Sequence, residues 1–194
     1  MEGTETNGVS AERALERLKA GSRAYRRASR NEGDISPDVR AAVSEEGQHP
    51  YAAIVTCSDS RVVPEHIFMA GIGELFTIRV AGNVMGPVEV ASVLYAVSQV
   101  RVPLVLVLGH TRCGAVKAAL AGDVQGPMTA VTDVISQAVG DERDDRAAAL
   151  LNVAAQVERL LSVDEIAEFV ASGNLEVTSA LYRIEDGEVE FCKR

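Results

Sequence analysis

Three short, nearly continuous apolar runs punctuate the chain: AAIVTC over 52–57, LFTIRV over 75–80 and LVLVLG over 104–109. Runs of this length, rich in β-branched residues, read as strands buried on both faces, which is the mark of a parallel sheet. Apolar positions at helical spacing fall between or after them, about 63–70, 88–100 and 114–122. That alternation is the grammar of βαβ units. The second half is mostly helical, with one helix over 129–139, the charged turn GDERDDR, and another through 147–161. Ser162 and Glu165 have the spacing of a capping box for a helix whose stripe is Ile166, Phe169 and Val170, and Gly173 would stop it. Residues 175–184 return to strand, Asp186-Gly187 predicts a hairpin turn, and 188–192 pair back. The fold expected is α/β: a mostly parallel central sheet with flanking helices and an antiparallel edge strand.

Upstream, Ser10 can cap a helix whose apolar stripe is only Ala14, Leu15, Leu18 and Tyr25, with charge on its other faces. Such a helix predicts an arm laid over something else rather than a core element. Residues 31–50 read as a loop with a short helix near 37–45. With 194 residues, 47% of them hydrophobic, the chain can build one sizeable core. One domain over 1–194 is expected, residues 1–45 forming the arm.

A net charge of −9 argues against nucleic acid or an anionic membrane as partner. No run approaches the roughly 18 apolar residues of a membrane helix. The start, MEGTETNGVS, has neither a basic stretch nor an apolar one, so no secretory signal is expected and the cytoplasm is the expected compartment. Three cysteines, at 57, 113 and 192, make a poor disulfide framework, and metal binding or catalysis is the better use for some of them.

Two of the apolar runs end in metal-type ligands: the first in Cys57, the second in His110 and Cys113. In parallel α/β sheets, sites form at the carboxyl ends of strands beside a topological switch point. A Cys₂His set leaves one position open on a tetrahedral zinc, which a structural site closes with protein and a catalytic site keeps for water. Asp59 could close it, or Arg61 could hold that carboxylate in a two-pronged ion pair. Taken singly each feature has a plainer reading: a buried cysteine as a small hydrophobe, His-x-x-Cys as a weak metal signal, Asp-x-Arg as a surface pair. Their conjunction is what points to a metal. Cys192 reads as structural or incidental, and His49 and His66 as surface or loop histidines.

The segments CSDSRVVPEHIF, GELFTIRVAGN and VPLVLVLGHTRCGAVKAAL resemble the signature segments of β-class carbonic anhydrases, continuously from about Gln48 to Leu120. The resemblance implies one zinc per chain on Cys57, His110 and Cys113, with Asp59 and Arg61 as a gating dyad. It implies a homodimer, or a dimer of dimers, whose N-terminal arms pack on the partner subunit. It also implies a substrate pocket at the dimer interface, matched here by Gln48, Phe76, Ala81, Tyr95 and Gly114. The activity implied is reversible hydration of carbon dioxide to bicarbonate and a proton. Zinc lowers the pKa of its water to roughly 7, making hydroxide available at neutral pH. Alternatives are hydrolysis of carbonyl sulfide or carbon disulfide on the same zinc, or a noncatalytic zinc- or bicarbonate-binding protein; the intact CSDSR pattern disfavours both.

Departures from the family pattern are also legible. Ile54 stands where some members have a tryptophan beside a regulatory bicarbonate, although Arg79 and Tyr95 match other residues of that pocket. The form with Asp59 off the metal is therefore expected near neutral pH. Met69, Ala70 and Leu94 replace polar residues, and their joint change predicts one repacked apolar patch.

Overall fold

The computed structural model describes residues 8–192. Its five-stranded sheet comprises β1 (Ala52–Cys57), β2 (Leu75–Val80), β3 (Leu104–His110), β4 (Glu176–Tyr182) and β5 (Val189–Phe191), in the order β2-β1-β3-β4-β5. β1 runs parallel to β2 and β3, β3 runs parallel to β4, and β5 closes one edge antiparallel. Residues 1–7, the start of the expected arm and of the stretch read for a secretory signal, lie outside the described residues.

Strand periodicity sorts the core into two layers. Val55, Val105, Val107 and Val177 point to one face, where α4 (Pro87–Ser98), α7 (Asp145–Leu161) and α8 (Asp164–Ala171) supply Val93, Ala96, Val153, Leu160 and Ile166. Ile54, Leu104, Leu106 and Leu108 point to the other, under α1 (Ala11–Tyr25) and α3 (Pro64–Ile67). Every residue of β1 and β3 is buried, so both strands can be apolar without interruption. β2 differs from expectation. It is an edge strand, only Ile78 is fully buried, and Arg79 is exposed. Its apolar run still meets both layers, Phe76 and Ile78 on one and Leu75 on the other, but as an edge strand it is only partly covered.

Helix α1 corrects a second expectation. Its stripe is narrow, yet Ala14 and Leu18 are fully buried against this chain's own sheet, beside Tyr51, Ile54 and Phe68. Burying a leucine contributes about 1.5–3 kcal/mol, so a narrow stripe is enough for a core element. Arg17 adds an ion pair to Glu74 and stacks 4.1 Å over the Tyr51 ring. The helix 37–45 is present as α2 (Pro37–Glu46), capped by Ser36 and with no buried residue.

The capping box at Ser162 does not form. Helix α7 runs on to Leu161, Ser162 closes it in a helical conformation, and its hydroxyl donates back to the Arg159 carbonyl at 2.8 Å. Val163 takes the cap position of α8 instead. The hairpin after β4 is wider than a two-residue turn: Arg183 and Glu188 pair through backbone, and Gly187 supplies the left-handed step at φ 74°. Nor do Met69, Ala70 and Leu94 form one patch. Ala70 packs by the 31–34 loop, where Asn31 Nδ2 donates to its carbonyl, while Leu94 packs with Phe76 and Val90 on the α4 layer. Among the described residues no helix is long and apolar enough to cross a membrane.

Candidate metal centre

The chain leaves β1 to build β2 on one side, then returns to build β3 on the other. The carboxyl ends of β1 and β3 are thus the switch point of the sheet, where the two outgoing connections diverge and leave a crevice. Cys57 is the last residue of β1 and His110 the last of β3. Cys113 caps the helix that follows, α5 (Gly114–Ala121). One ligand atom from each of these three residues lies within 4.8 Å of the others, and all three residues are buried.

Two glycines allow this closeness. At Gly82, φ is 64° and an added Cβ would meet Ile135 Cδ1 at 2.8 Å; its amide instead donates to Cys57 Sγ at 3.3 Å. At Gly109 a Cβ would lie 2.3 Å from Val153 Cγ2, so only glycine lets α7 pack this tightly on β3.

The donor chemistry fits zinc. His110 Nδ1 lies 2.8 Å from the Thr111 carbonyl, which can only accept, so Nδ1 carries the proton and Nε2 keeps its lone pair. Nε2 is buried and has no hydrogen-bond partner, a cost that a metal ion removes. The neighbouring Cys113 thiol, then the His110 imidazole and the backbone amides of Asp59 and Gly82, hold the Cys57 thiol down to about 4 against the effect of burial. The same pairing, with burial, pushes the Cys113 thiol up. Two buried sulfurs beside an imidazole whose Nε2 has no hydrogen-bond partner make a site suited to a thiolate-preferring dication.

Outside this set, Arg61 grips Asp59 at both oxygens: Nε donates to Oδ1 at 3.0 Å, Nη2 to Oδ2 at 2.7 Å, and the Arg61 amide to Oδ1 at 2.9 Å. The guanidinium holds the Asp59 carboxyl down to about 2, so it is an acceptor at any ordinary pH. Of the two readings left open by spacing, the geometry takes the ion pair. Arg79, from β2, donates to the Cys57 and Asp59 carbonyls at 3.2 and 2.8 Å and ties this turn to the edge strand. Ile54 is buried in the core.

The remaining candidates divide into two groups. Ala81 precedes Gly82 and Gly114 follows Cys113, so both stand next to the cluster, and both are exposed. Gln48, Phe76 and Tyr95 do not. Gln48 is exposed and enters β1 from its far end, across a six-residue strand of roughly 20 Å. Phe76 is in register with Ala53, near that same end, and its ring centroid lies 6.2 Å from that of Tyr95. Cys192 is free and half-buried, and His49 and His66 are exposed.

Sequence reasoning missed the polar brace behind the cluster. Asn152 Nδ2 donates to the Gly82 carbonyl at 2.8 Å, and the Met85 amide donates to Gln156 Oε1 at 2.9 Å. Both amides are buried on α7 and join each other at 3.3 Å. Their signal was two amides four apart in the otherwise apolar ALLNVAAQV.

Residues 52–189 match a family model described as carbonic anhydrase. Carbonic anhydrase 2 of Mycobacterium tuberculosis is 35% identical over 193 residues, covering 94% of this chain and 91% of the relative. A carbonic anhydrase of Mycolicibacterium smegmatis is 34% identical, covering 78% and 79%. Among solved structures, the β-carbonic anhydrase CcaA is 27% identical with a TM-score of 0.70, covering 93% of this chain and 88% of that one. A tetrameric β-carbonic anhydrase of Sordaria macrospora shares the fold at 24% identity and a TM-score of 0.72, covering 93% and 94%.

Proposed function

This chain belongs to the β class of carbonic anhydrases, zinc lyases that hydrate carbon dioxide, and from that premise we propose how its residues divide the work. The observation that carries the reading is the buried Cys57–His110–Cys113 cluster with its unpartnered Nε2, set beside a carboxylate already gripped by arginine. Those three residues hold the zinc. Bound there, zinc supplies a Lewis acid that makes water nucleophilic at neutral pH.

Asp59 acts as acceptor. Held ionised by Arg61, it takes a hydrogen bond from the attacking water and turns the oxygen lone pair toward the carbon of carbon dioxide. Attack forms one carbon–oxygen bond as one C=O π bond opens onto its oxygen and an O–H bond of the water gives up its proton, so that the products are bicarbonate and one proton. Arg61 acts by restraint, because a carboxylate bonded at both oxygens is kept from competing for the metal. Ala81 and Gly114 present small surfaces beside the cluster, leaving room for a linear triatomic substrate.

Gln48, Phe76 and Tyr95 complete the pocket of a second copy. What supports this is their place at the end of β1 and β2 opposite their own chain's sulfurs, together with the half-exposed edge strand that carries Phe76. The enzyme works as a homodimer or a dimer of dimers, with the 1–45 segment reaching the partner as well as its own sheet. Three free cysteines suit the reducing cytoplasm. Stopped-flow hydration of carbon dioxide, with carbonyl sulfide in parallel, tests the assignment: fast hydration and slow sulfide hydrolysis are expected, and the reverse ranking would overturn it.

A further inference from the structure

Two of the three proposed zinc ligands, His110 and Cys113, are separated by only Thr111 and Arg112. Whatever fixes these two residues therefore fixes the angle between imidazole and thiolate. Arg112 sits at φ 54°, in the left-handed region that a side chain with a Cβ avoids. Such a conformation persists only where the surroundings over-determine it.

The surroundings here are two carboxylates that the mechanism does not use. Asp145, in the first turn of α7, accepts from the Arg112 amide at 2.9 Å. Glu185, in the loop between β4 and β5, accepts from the Thr111 hydroxyl at 2.7 Å with one oxygen and from Arg112 Nε at 2.7 Å with the other. The Thr111 hydroxyl in turn accepts from the Ile184 amide at 3.1 Å, and the Thr111 amide donates to the Tyr182 carbonyl at 3.0 Å. Both backbone amides of the linker and the Thr111 hydroxyl are thus held from behind.

Its two carbonyls face forward. That of Thr111 accepts from His110 Nδ1 at 2.8 Å, and that of Arg112 accepts from Arg61 Nη2 at 3.2 Å. One orients the imidazole and the other steadies the guanidinium that grips Asp59. We infer that Glu185 and Asp145 are positioning residues, which clamp the Thr111–Arg112 linker so that its carbonyls aim His110 at the metal and Arg61 at Asp59. The inference rests on the zinc reading of the cluster.

The ion pair between Arg112 and Glu185 is not the working part. The Arg112 side chain is 69% exposed, and pairs of that kind add little. The clamp acts through the linker's backbone and the Thr111 hydroxyl, and this makes an unusual expectation. Glycine adopts the left-handed conformation freely, so Arg112→Gly should partly replace the clamp although it deletes the ion pair.

The test uses the full-length protein loaded with zinc for kinetics and with cobalt(II) for absorption spectra, each variant being assayed below its own melting temperature. Asp145→Ala and Glu185→Ala should each lower kcat about tenfold or more, as loss of support behind a metal ligand does, with metal retained and the cobalt bands shifted. Asp145→Asn, which keeps an acceptor oxygen, should recover most of that loss, and Glu185→Gln should fall between. Arg112→Gly added to Asp145→Ala should restore both rate and spectrum part of the way. Melting temperatures that fall while kcat and the cobalt bands stay fixed would make the two carboxylates merely structural and overturn the inference. So would an Arg112→Gly addition that lowers activity further. A wild-type protein that takes up no cobalt would overturn the zinc reading itself.

Discussion

The two ends of the sheet present opposite situations. At the carboxyl ends of β1 and β3, chemically demanding side chains are buried and braced: Cys57, His110 and Cys113 converge, and Asp59 is held at both oxygens. At the other end, Gln48 and Tyr95 are exposed and Phe76 lies on a half-covered edge strand. The first end has its partners within the chain. The second offers an aromatic pair and an amide to solvent, although aromatic rings are the side chains that gain most from burial. On the division of work proposed above, one copy's finished end would be completed by another copy's unfinished one, and the contrast between the two ends is what that proposal has to explain.

The most severe test of the finished end removes a ligand. Cys57→Ser exchanges a readily ionised thiol for a hydroxyl, which is a poor zinc ligand at neutral pH. Zinc content by elemental analysis should fall sharply and hydration activity should vanish. Full zinc occupancy in the variant would strike Cys57 from the ligand set. Next in size is Arg61→Ala. It frees Asp59 Oδ2 and leaves Oδ1 only its backbone amide donor, beside a site that wants a fourth ligand, so activity should drop about 10–100-fold while zinc is retained. Normal hydration rates in that variant would end the restraining role.

The finished end was also the more legible one in the sequence, for a physical reason. A parallel strand buried on both faces must be apolar throughout, so its end is marked wherever polarity returns, and here it returns as Cys57, Asp59, His110 and Cys113. The choice between Asp59 as ligand and Asp59 as Arg61's partner was not legible, because two residues of spacing permit either. β2 misled because an edge strand that is only partly covered can carry the same apolar run as a central one. Ser162 misled because a serine four residues before an apolar helical stripe can equally be the last residue of the helix before it. The clamp at Glu185 and Asp145 was invisible, since it joins residues more than 30 positions apart through single side chains.

Helix α1 sharpens the comparison at the level of stability. Read as an arm for a partner, it should come away from its own chain at little cost. Read from its burial, it is part of the core, with Leu18 fully enclosed. Leu18→Ala should then destabilise the fold by about 2–5 kcal/mol, the range for emptying a packed leucine site. Chemical denaturation at several protein concentrations measures this. A loss that disappears on dilution to monomer would mean that the helix serves the partner alone.

The smallest effect expected lies at the unfinished end, and higher protein concentration should repair it. Tyr95 is 51% exposed and leans on Phe76. If the single chain were the working unit, Tyr95→Ala would be an ordinary surface change, within about 0.5 kcal/mol of neutral. Covered by a second copy, a tyrosine of this kind is a typical interface anchor, worth about 2 kcal/mol or more of association. That difference corresponds to roughly a 30-fold rise in the dimer dissociation constant. Sedimentation equilibrium should show the weakened association, and activity per chain should fall on dilution earlier than in the parent enzyme. Zinc content should not change, because no ligand has been touched. Association unaltered by Tyr95→Ala would place the interface elsewhere and leave the exposed aromatic pair without a role in completing the site.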